Sequence, residues 1–467
     1  MARPPSVPLL IAISSLGTLL APLNSTMIAV ALPDIRDDFS LSHGAVAWLV
    51  SAYLIAMAVA QPIGGRLGDT LGRTRVYRAG MLVFMAMAIV TPFSPNFEVL
   101  VTLRIVQAIA GAVLIPNGAA LLRTHAPPGE LGRLNGINGG IISFAAAAGP
   151  LIGAAVLAVG SWRWMFPLSV PGILVALYLL RRLDDPQERV AARPFDAVGT
   201  LLFVASFAAV TVQLASLRGD AGLARSVGGW ALTAAIIAAF AWRQRTTSSP
   251  AAEWRLFRER SFAASTAYSL LTNLSMYTTL LMIPFFVREV LGKSTELSGV
   301  LLGAMSVLIA VISPLGGRLS DAWGRRPSAQ VGGVLMLAGS IVLAAGLSTS
   351  TSPLFLAACL ALMGLGLGLG VGAANTAAIE SAPRMLAGSA AGTSSMMRYT
   401  GSIIGAGILA GVLNDDTSGA DVTTFRLVAL AVVTTAALAV AVSSLIHRYA
   451  DAEAIPVAEA GTVIGRA

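Results

Sequence analysis

Long apolar runs follow one another down the chain, each about as long as a helix that crosses a bilayer and each closed by a short polar gap. A hydrocarbon core about 30 Å thick takes roughly 20 apolar residues per helix. Runs of that length predict fourteen spans, at about 8–32, 44–64, 76–94, 97–122, 134–159, 164–182, 196–216, 226–242, 262–287, 297–315, 328–348, 353–378, 386–413 and 424–446. The alternating segments of about ten residues that build an outer-membrane barrel are not seen, so the spans read as helices and the chain as an all-α polytopic membrane protein. The first run follows Met1-Ala2-Arg3 but exceeds the apolar core of about 7 to 15 residues expected of a secretion signal, and reads as the first span.

Composition agrees and adds direction. Of 467 residues, 56% are hydrophobic and 12% charged, and the mean hydropathy of +0.78 is outside the range of soluble domains. Arginines gather in alternate gaps: Arg66, Arg73, Arg75 and Arg78 after the second span, Arg181, Arg182, Arg189 and Arg193 after the sixth, Arg243, Arg245, Arg255, Arg258 and Arg260 after the eighth, and Arg318, Arg325 and Arg326 after the tenth. The opposite gaps hold Asp34, Asp37, Asp38, Asp415, Asp416 and Asp421. Positive charge stays on the cytoplasmic side, so both termini are expected there, and the net charge of +8 reflects orientation, not nucleic-acid binding. The single Cys359 excludes an internal disulfide, and no metal cluster or cofactor loop is expected.

Two charged phrases give the organisation. "GGRLGDTLGRTR" at 64–75 returns as "GGRLSDAWGRRP" at 316–327, aligning Gly64 with Gly316, Arg66 with Arg318, Asp69 with Asp321, Gly72 with Gly324 and Arg73 with Arg325 without a gap. The chain reads as an internal duplication, a common transporter plan with the substrate path between the repeats. Eight predicted spans separate the two phrases where plain six-helix halves would place six, so two are inserted. The expected units are a six-helix half over 1–182, two inserted helices with linkers over 183–261, a second six-helix half over 262–446 and a cytoplasmic tail over 447–467.

The repeated phrase resembles the G-x-L-x-D-r-x-G-r-[rk] signature of the major facilitator superfamily, and the layout of six, two and six helices resembles its fourteen-span drug:proton antiporter family. "LNSTMIAVALPDI" at 23–35, "RIVQAIAGAVLIPN" at 104–117 and "AAAAGPLIGAAV" at 145–156 resemble that family's segments in spans one, four and five. "SWRWMFPLSVP", "FDAVGTLL" and "MMRYTGSIIGAGI" are similar to its later phrases. The resemblance implies a transporter of the bacterial inner membrane, acting as a monomer without a cofactor, that exports small hydrophobic or cationic compounds against protons. A dedicated metabolite exporter, or a uniporter without proton coupling, remains the alternative; an enzyme is disfavoured because no paired catalytic acids, histidine clusters or nucleotide loop occur.

Several residues carry candidate chemistry. In the repeated phrase, Gly65 and Gly72 allow a tight backbone, Asp69 can face a helix N-terminus, and Arg73 can pair with an acid, with Asp321 and Arg325 as the second copy; together they suggest a conformational latch, against the plainer reading of a charged loop that sets topology. Arg104 lies about ten residues into its span, where a cation costs about 2.5 to 3.5 kcal/mol, and its expected partners are Gln107 and Asn24; snorkelling to an interface is the competing reading. Arg398, beside Tyr399, poses the same choice. Gly149, Pro150 and Gly153 predict a bend and close packing. The resemblance places a proton-carrying acid of the first span at Asn24, which cannot titrate, and leaves Asp34 as the nearest carboxylate. Histidines His43, His125 and His447 sit near span ends, where a solvated ring is expected.

Overall fold

In a computed structural model, residues 7–125, 131–183, 196–215, 223–247, 254–382, 387–412 and 421–448 are described. The first apolar run forms three helical pieces, α1 (Val7–Thr18), α2 (Leu20–Val30) and α3 (Leu32–Asp38). There follow α4 (His43–Leu71), α5 (Arg73–Val90), α6 (Phe97–His125), α7 (Leu131–Val159) and α8 (Val170–Leu180). Then come α9 (Ala197–Ala215), α10 (Leu223–Thr246), α11 (Arg260–Phe285), α12 (Thr295–Trp323), α13 (Arg325–Gly346), α14 (Pro353–Glu380), α15 (Ala387–Val412) and α16 (Val422–Ser443). Among the described residues, ten helical segments are long and apolar enough to cross a membrane. The linkers at 184–195, 216–222 and 248–253, and the tail beyond 448, lie outside the described residues.

The helices outrun the spans read from hydropathy. The second span was expected to stop at about 64 and the tenth at about 315, with a charged loop after each; instead α4 continues to Leu71 and α12 to Trp323, so most of each repeated phrase is helical. Hydropathy reports only the part of a helix that matches the apolar core, whereas backbone hydrogen bonding carries the helix past it. The loop shrinks to one residue. Gly72 at φ 97° and Gly324 at φ 100° each join two helices in a conformation that L residues rarely adopt. Each also donates its N–H back at 3.0 Å, Gly72 to the Gly68 carbonyl and Gly324 to that of Ser320.

Packing repeats along with the sequence. α6 lies against α1, α4 and α5, and α7 against α2; in the same pattern α14 lies against α11, α12 and α13, and α15 against α11. Small residues permit the close approaches that hold helices together where apolar burial supplies little drive. Gly149 and Gly153 of α7 sit on Thr26 and Met27 of α2, and Gly401 and Gly405 of α15 sit on Leu270 and Leu274 of α11, the same offset of 252 that relates the two phrases. The run "GLGLGLGVG" at 364–372 packs α14 on two sides: Gly364 and Gly368 meet Met305 and Ile312 of α12, while Gly366 and Gly370 meet Gly332 of α13 and Tyr268 of α11.

Two seams join the repeats. α7 packs on α12, where Gly299 faces Pro150 and Ala154, and α15 packs on α4. Helices α9 and α10 pair with each other, with Phe203 and Phe240 rings 5.5 Å apart, and α9 rests on α4 and α15. Asp196 fastens this pair by accepting from the Gly199 N–H and from Arg243, each at 2.9 Å. Pro150 lies inside an unbroken α7. Lacking an N–H, it leaves the Ala146 carbonyl one turn back without its helical partner. The Thr26 hydroxyl of α2 donates to that carbonyl at 2.8 Å, so the freed acceptor becomes a helix contact.

Candidate functional site

Between the repeats lies a polar and aromatic centre. From the first repeat, Asn24 and Ser25 come from α2, Tyr53 and Gln61 from α4, and Arg104 and Gln107 from α6; from the second, Tyr277 comes from α11 and Arg398 and Tyr399 from α15. Two hydrogen bonds cross the boundary: Ser25 and Tyr277 hydroxyls at 3.2 Å, and Gln61 Nε2 to the Tyr399 hydroxyl at 3.1 Å. Ser25 and Tyr277 are equivalent positions of the duplication, 252 residues apart, so their contact marks its axis.

Arg104 is fully buried and does not snorkel. Its Nη1 donates to Asn24 Oδ1 and, at 2.9 Å, to Gln107 Oε1. Its guanidinium stacks 4.1 Å from the Tyr53 ring centroid and 5.6 Å from that of Phe166. The Tyr53 hydroxyl is held in turn by the Ala21 carbonyl at 3.1 Å. Arg104 Nε and Nη2, and Gln107 Nε2, reach no protein acceptor. Arg398 is half-buried, 3.4 Å from the Ser395 hydroxyl and 5.9 Å from the Tyr399 ring centroid. No Asp or Glu occurs between 39 and 68, 99 and 129, 260 and 288 or 381 and 414, the stretches that supply this centre.

At one end the repeats are locked by charge. Arg36 of α3 donates to Glu289, which lies in the widened turn Phe286–Val290 that follows α11. Arg288 of that turn donates to Asp34 and, at 2.6 Å, to Asp37. His43 Nε2 approaches Glu289 Oε1 at 2.7 Å, and Thr295 donates to Asp34 at 3.3 Å. Arg36-Asp37 and Arg288-Glu289 are equivalent dipeptides at the offset of 252, so each arginine holds the acid of the other repeat. His43 and Thr295 are equivalent too. Burial pushes the Asp34 carboxyl above the ordinary carboxylate range, more strongly than the Arg288 guanidinium pulls it down.

The repeated phrase sits at the opposite end. Arg325 bonds Asp321 at 2.5 Å, Ser320 at 3.0 Å and Glu380 of α14 at 2.7 Å, all within its own repeat, and its backbone N–H donates to the Arg448 carbonyl at 2.7 Å. Gly65 lies against Pro116 of α6, and Asn117 Nδ2 bonds the Gly64 carbonyl at 2.8 Å. Arg73 opens α5, and the Asp69 side chain lies outside the described residues.

Sequence reading brought Asn24, Arg104, Gln107 and Arg398 forward but missed Arg288 and Glu289, and it treated His43 as solvated where the ring is half-buried against Glu289. The signal was present: the offset that aligns the two phrases also aligns the two Arg-acid dipeptides. Tyr53 and Tyr277 carried no such mark.

Duplicated helical repeats around a polar centre, closed by ion pairs at one end, define a multi-pass membrane transporter and not an enzyme. Residues 14–406 match the Major Facilitator Superfamily, and the chain belongs to it. An uncharacterized MFS-type transporter of Bacillus subtilis is 32% identical over 401 residues, covering 84% of this chain and 88% of the relative. The tetracenomycin C resistance and export protein of Streptomyces glaucescens is 29% identical over 408 residues, 87% of this chain and 75% of that protein. A multidrug transporter protein of Bacillus subtilis is 27% identical over 397 residues, 84% and 72% respectively. In fold the chain is similar to a crystal structure of a D-xylose-proton symporter, with a TM-score of 0.71 at 15% identity, covering 97% of this chain and all of that one.

Proposed function

We propose that this protein is a fourteen-span secondary transporter of the bacterial inner membrane that exports small, largely apolar organic compounds by alternating access, in the manner of the drug:proton antiporters. The observation that carries the reading is the reciprocal clamp. Contacts between equivalent residues of two repeats exist only while one end of the path is closed, and opening that end requires all of them to part. Helices α7, α9, α10 and α15 supply the four spans beyond the ten set by length and apolarity. The placement of arginines supports a cytoplasmic position for the repeated phrases and both termini and an external one for the clamp.

Export is supported by the similarity to the tetracenomycin C resistance and export protein and to the multidrug transporter. The cationic part of the expected cargo is set aside, because Arg104 and Arg398 repel a cation from the centre. The proton is carried at the clamp, where Asp34 is held protonated more readily than an exposed carboxylate. A uniporter or dedicated metabolite exporter is the second reading, favoured by the absence of an acid from the span interiors. Efflux of neutral apolar dyes measured in inside-out vesicles with an imposed pH gradient separates them: antiport predicts flux that follows the gradient, a uniporter predicts none of that dependence, and immobility of every dye overturns export of apolar compounds.

A further inference from the structure

We infer that the centre between the repeats binds the anionic group of an amphipathic organic acid, with Arg398 and Arg104 as its cationic partners. The inference rests on the export reading above and names the charge of the cargo. Three observations meet here. Two arginines stand inside the bundle, one from each repeat, and the stretches that form the centre contain no carboxylate to neutralise them. Buried cations are ordinarily paired, because an unpaired charge away from water is strongly disfavoured. Here no such partner occurs among the described residues.

The donors are also left over. Arg104 spends only Nη1 on Asn24 and Gln107, and its Nε and Nη2, with Gln107 Nε2, reach no acceptor of the protein. Arg398 has a single long contact, to Ser395, and is half-buried, which makes it the accessible member of the pair. Guanidinium groups bind carboxylates through paired N–H donors, so these are the groups such a ligand needs.

The surroundings specify the body of the ligand. Tyr53, Tyr277 and Tyr399 lie within electrostatic reach of one another, with Arg104 stacked on Tyr53 and Arg398 near Tyr399 and within electrostatic reach of Tyr277. Met57, Ala60 and Ala108 pack around Tyr53 and Tyr399. An anion between the arginines therefore has aromatic rings and apolar side chains next to it, which suits a flat hydrophobic acid.

The test compares pyrenebutyrate, pyrenebutanamide and pyrenebutylamine, which differ in charge on one apolar body. Their binding to the full chain in lipid nanodiscs is read by fluorescence anisotropy, with empty discs subtracted. The natural protein is expected to prefer the acid to the amide by about tenfold, the usual size of a charge-assisted contact, and to bind the amine least. Arg398→Gln should bring the acid down to the level of the amide, while Arg398→Lys keeps part of the preference. Asn24→Asp, which sets a carboxylate on Arg104, should also reduce it. Because acid and amide are compared in the same variant, partial loss of folded protein cancels from the ratio. Equal binding of acid and amine, an unchanged ratio in Arg398→Gln, or no binding of any probe overturns the inference. Export of the neutral amide without preference for the acid overturns it too, while leaving the export reading intact.

Discussion

Arg104 shows how one side chain is specified by several elements at once. Its stem begins in α6, its hydrogen bonds end on α2 and on its own helix, and its face is covered by Tyr53 of α4 and by Phe166. A planar fork can stack and donate sideways together, which an ammonium cannot. Arg104→Ala is accordingly expected to abolish dye export at normal membrane abundance, and Arg104→Lys to retain a small part; full export by the alanine variant would make the residue a bystander. Burial of Arg104 was legible from its depth in an apolar run. The stacking ring was not, because Tyr53 lies in another helix and nothing local in the sequence distinguishes it.

At the scale of elements, the repeated phrase turned out to be the end of one long helix, a single glycine and the start of the next. Gly72→Ala places a Cβ in a left-handed backbone position at a cost of about 1–2 kcal/mol. The purified variant is expected to unfold at lower temperature, whereas Gly317→Ala, where an added Cβ meets nothing within 4 Å, should not lower it. Equal behaviour of the two would remove the backbone argument. A similar logic applies to Pro150 in α7, since Thr26→Val deletes the donor that satisfies the Ala146 carbonyl. That variant should lose about 1 kcal/mol of stability, seen as a lower midpoint in denaturant, the ordinary worth of such a bond. Hydropathy found where helices are and misjudged where they stop, because it measures the lipid-matched part alone.

For the whole molecule, the clamp ties the two repeats in a way that can be measured. With Cys359 replaced and spin labels on Ser40 and Lys293, both exposed at the clamp end, the distance distribution reports closed and open populations. Arg36→Gln and Glu289→Gln should each raise the open fraction, and the double variant should do so by less than their sum, with a coupling of about 1 kcal/mol. Additive effects would mean that the pair does not hold the repeats. Proton dependence has a definite sign. The Asp34 carboxyl titrates higher when buried in the closed clamp than when released to water, so the closed form binds the proton more tightly. Acidification from above that raised value down to the ordinary carboxylate value should therefore favour closure. Asp34→Asn should remove this part of the pH response, and an unaltered response would assign the proton to another group.

The chain alone determined the membrane class and the duplication, and pointed to the buried cation, because each is written in local properties: run length, a repeated phrase and a charge within an apolar stretch. The tertiary structure alone decided who meets whom. That Arg36 holds Glu289 while Arg288 holds Asp37, that Ser25 touches its own counterpart Tyr277, and that no acid among the described residues pairs with Arg104 or Arg398 all depend on packing between residues far apart in the chain. Charge and spacing give each residue its capacity for contact, but only the arrangement of two folded repeats about a shared axis selects the partner.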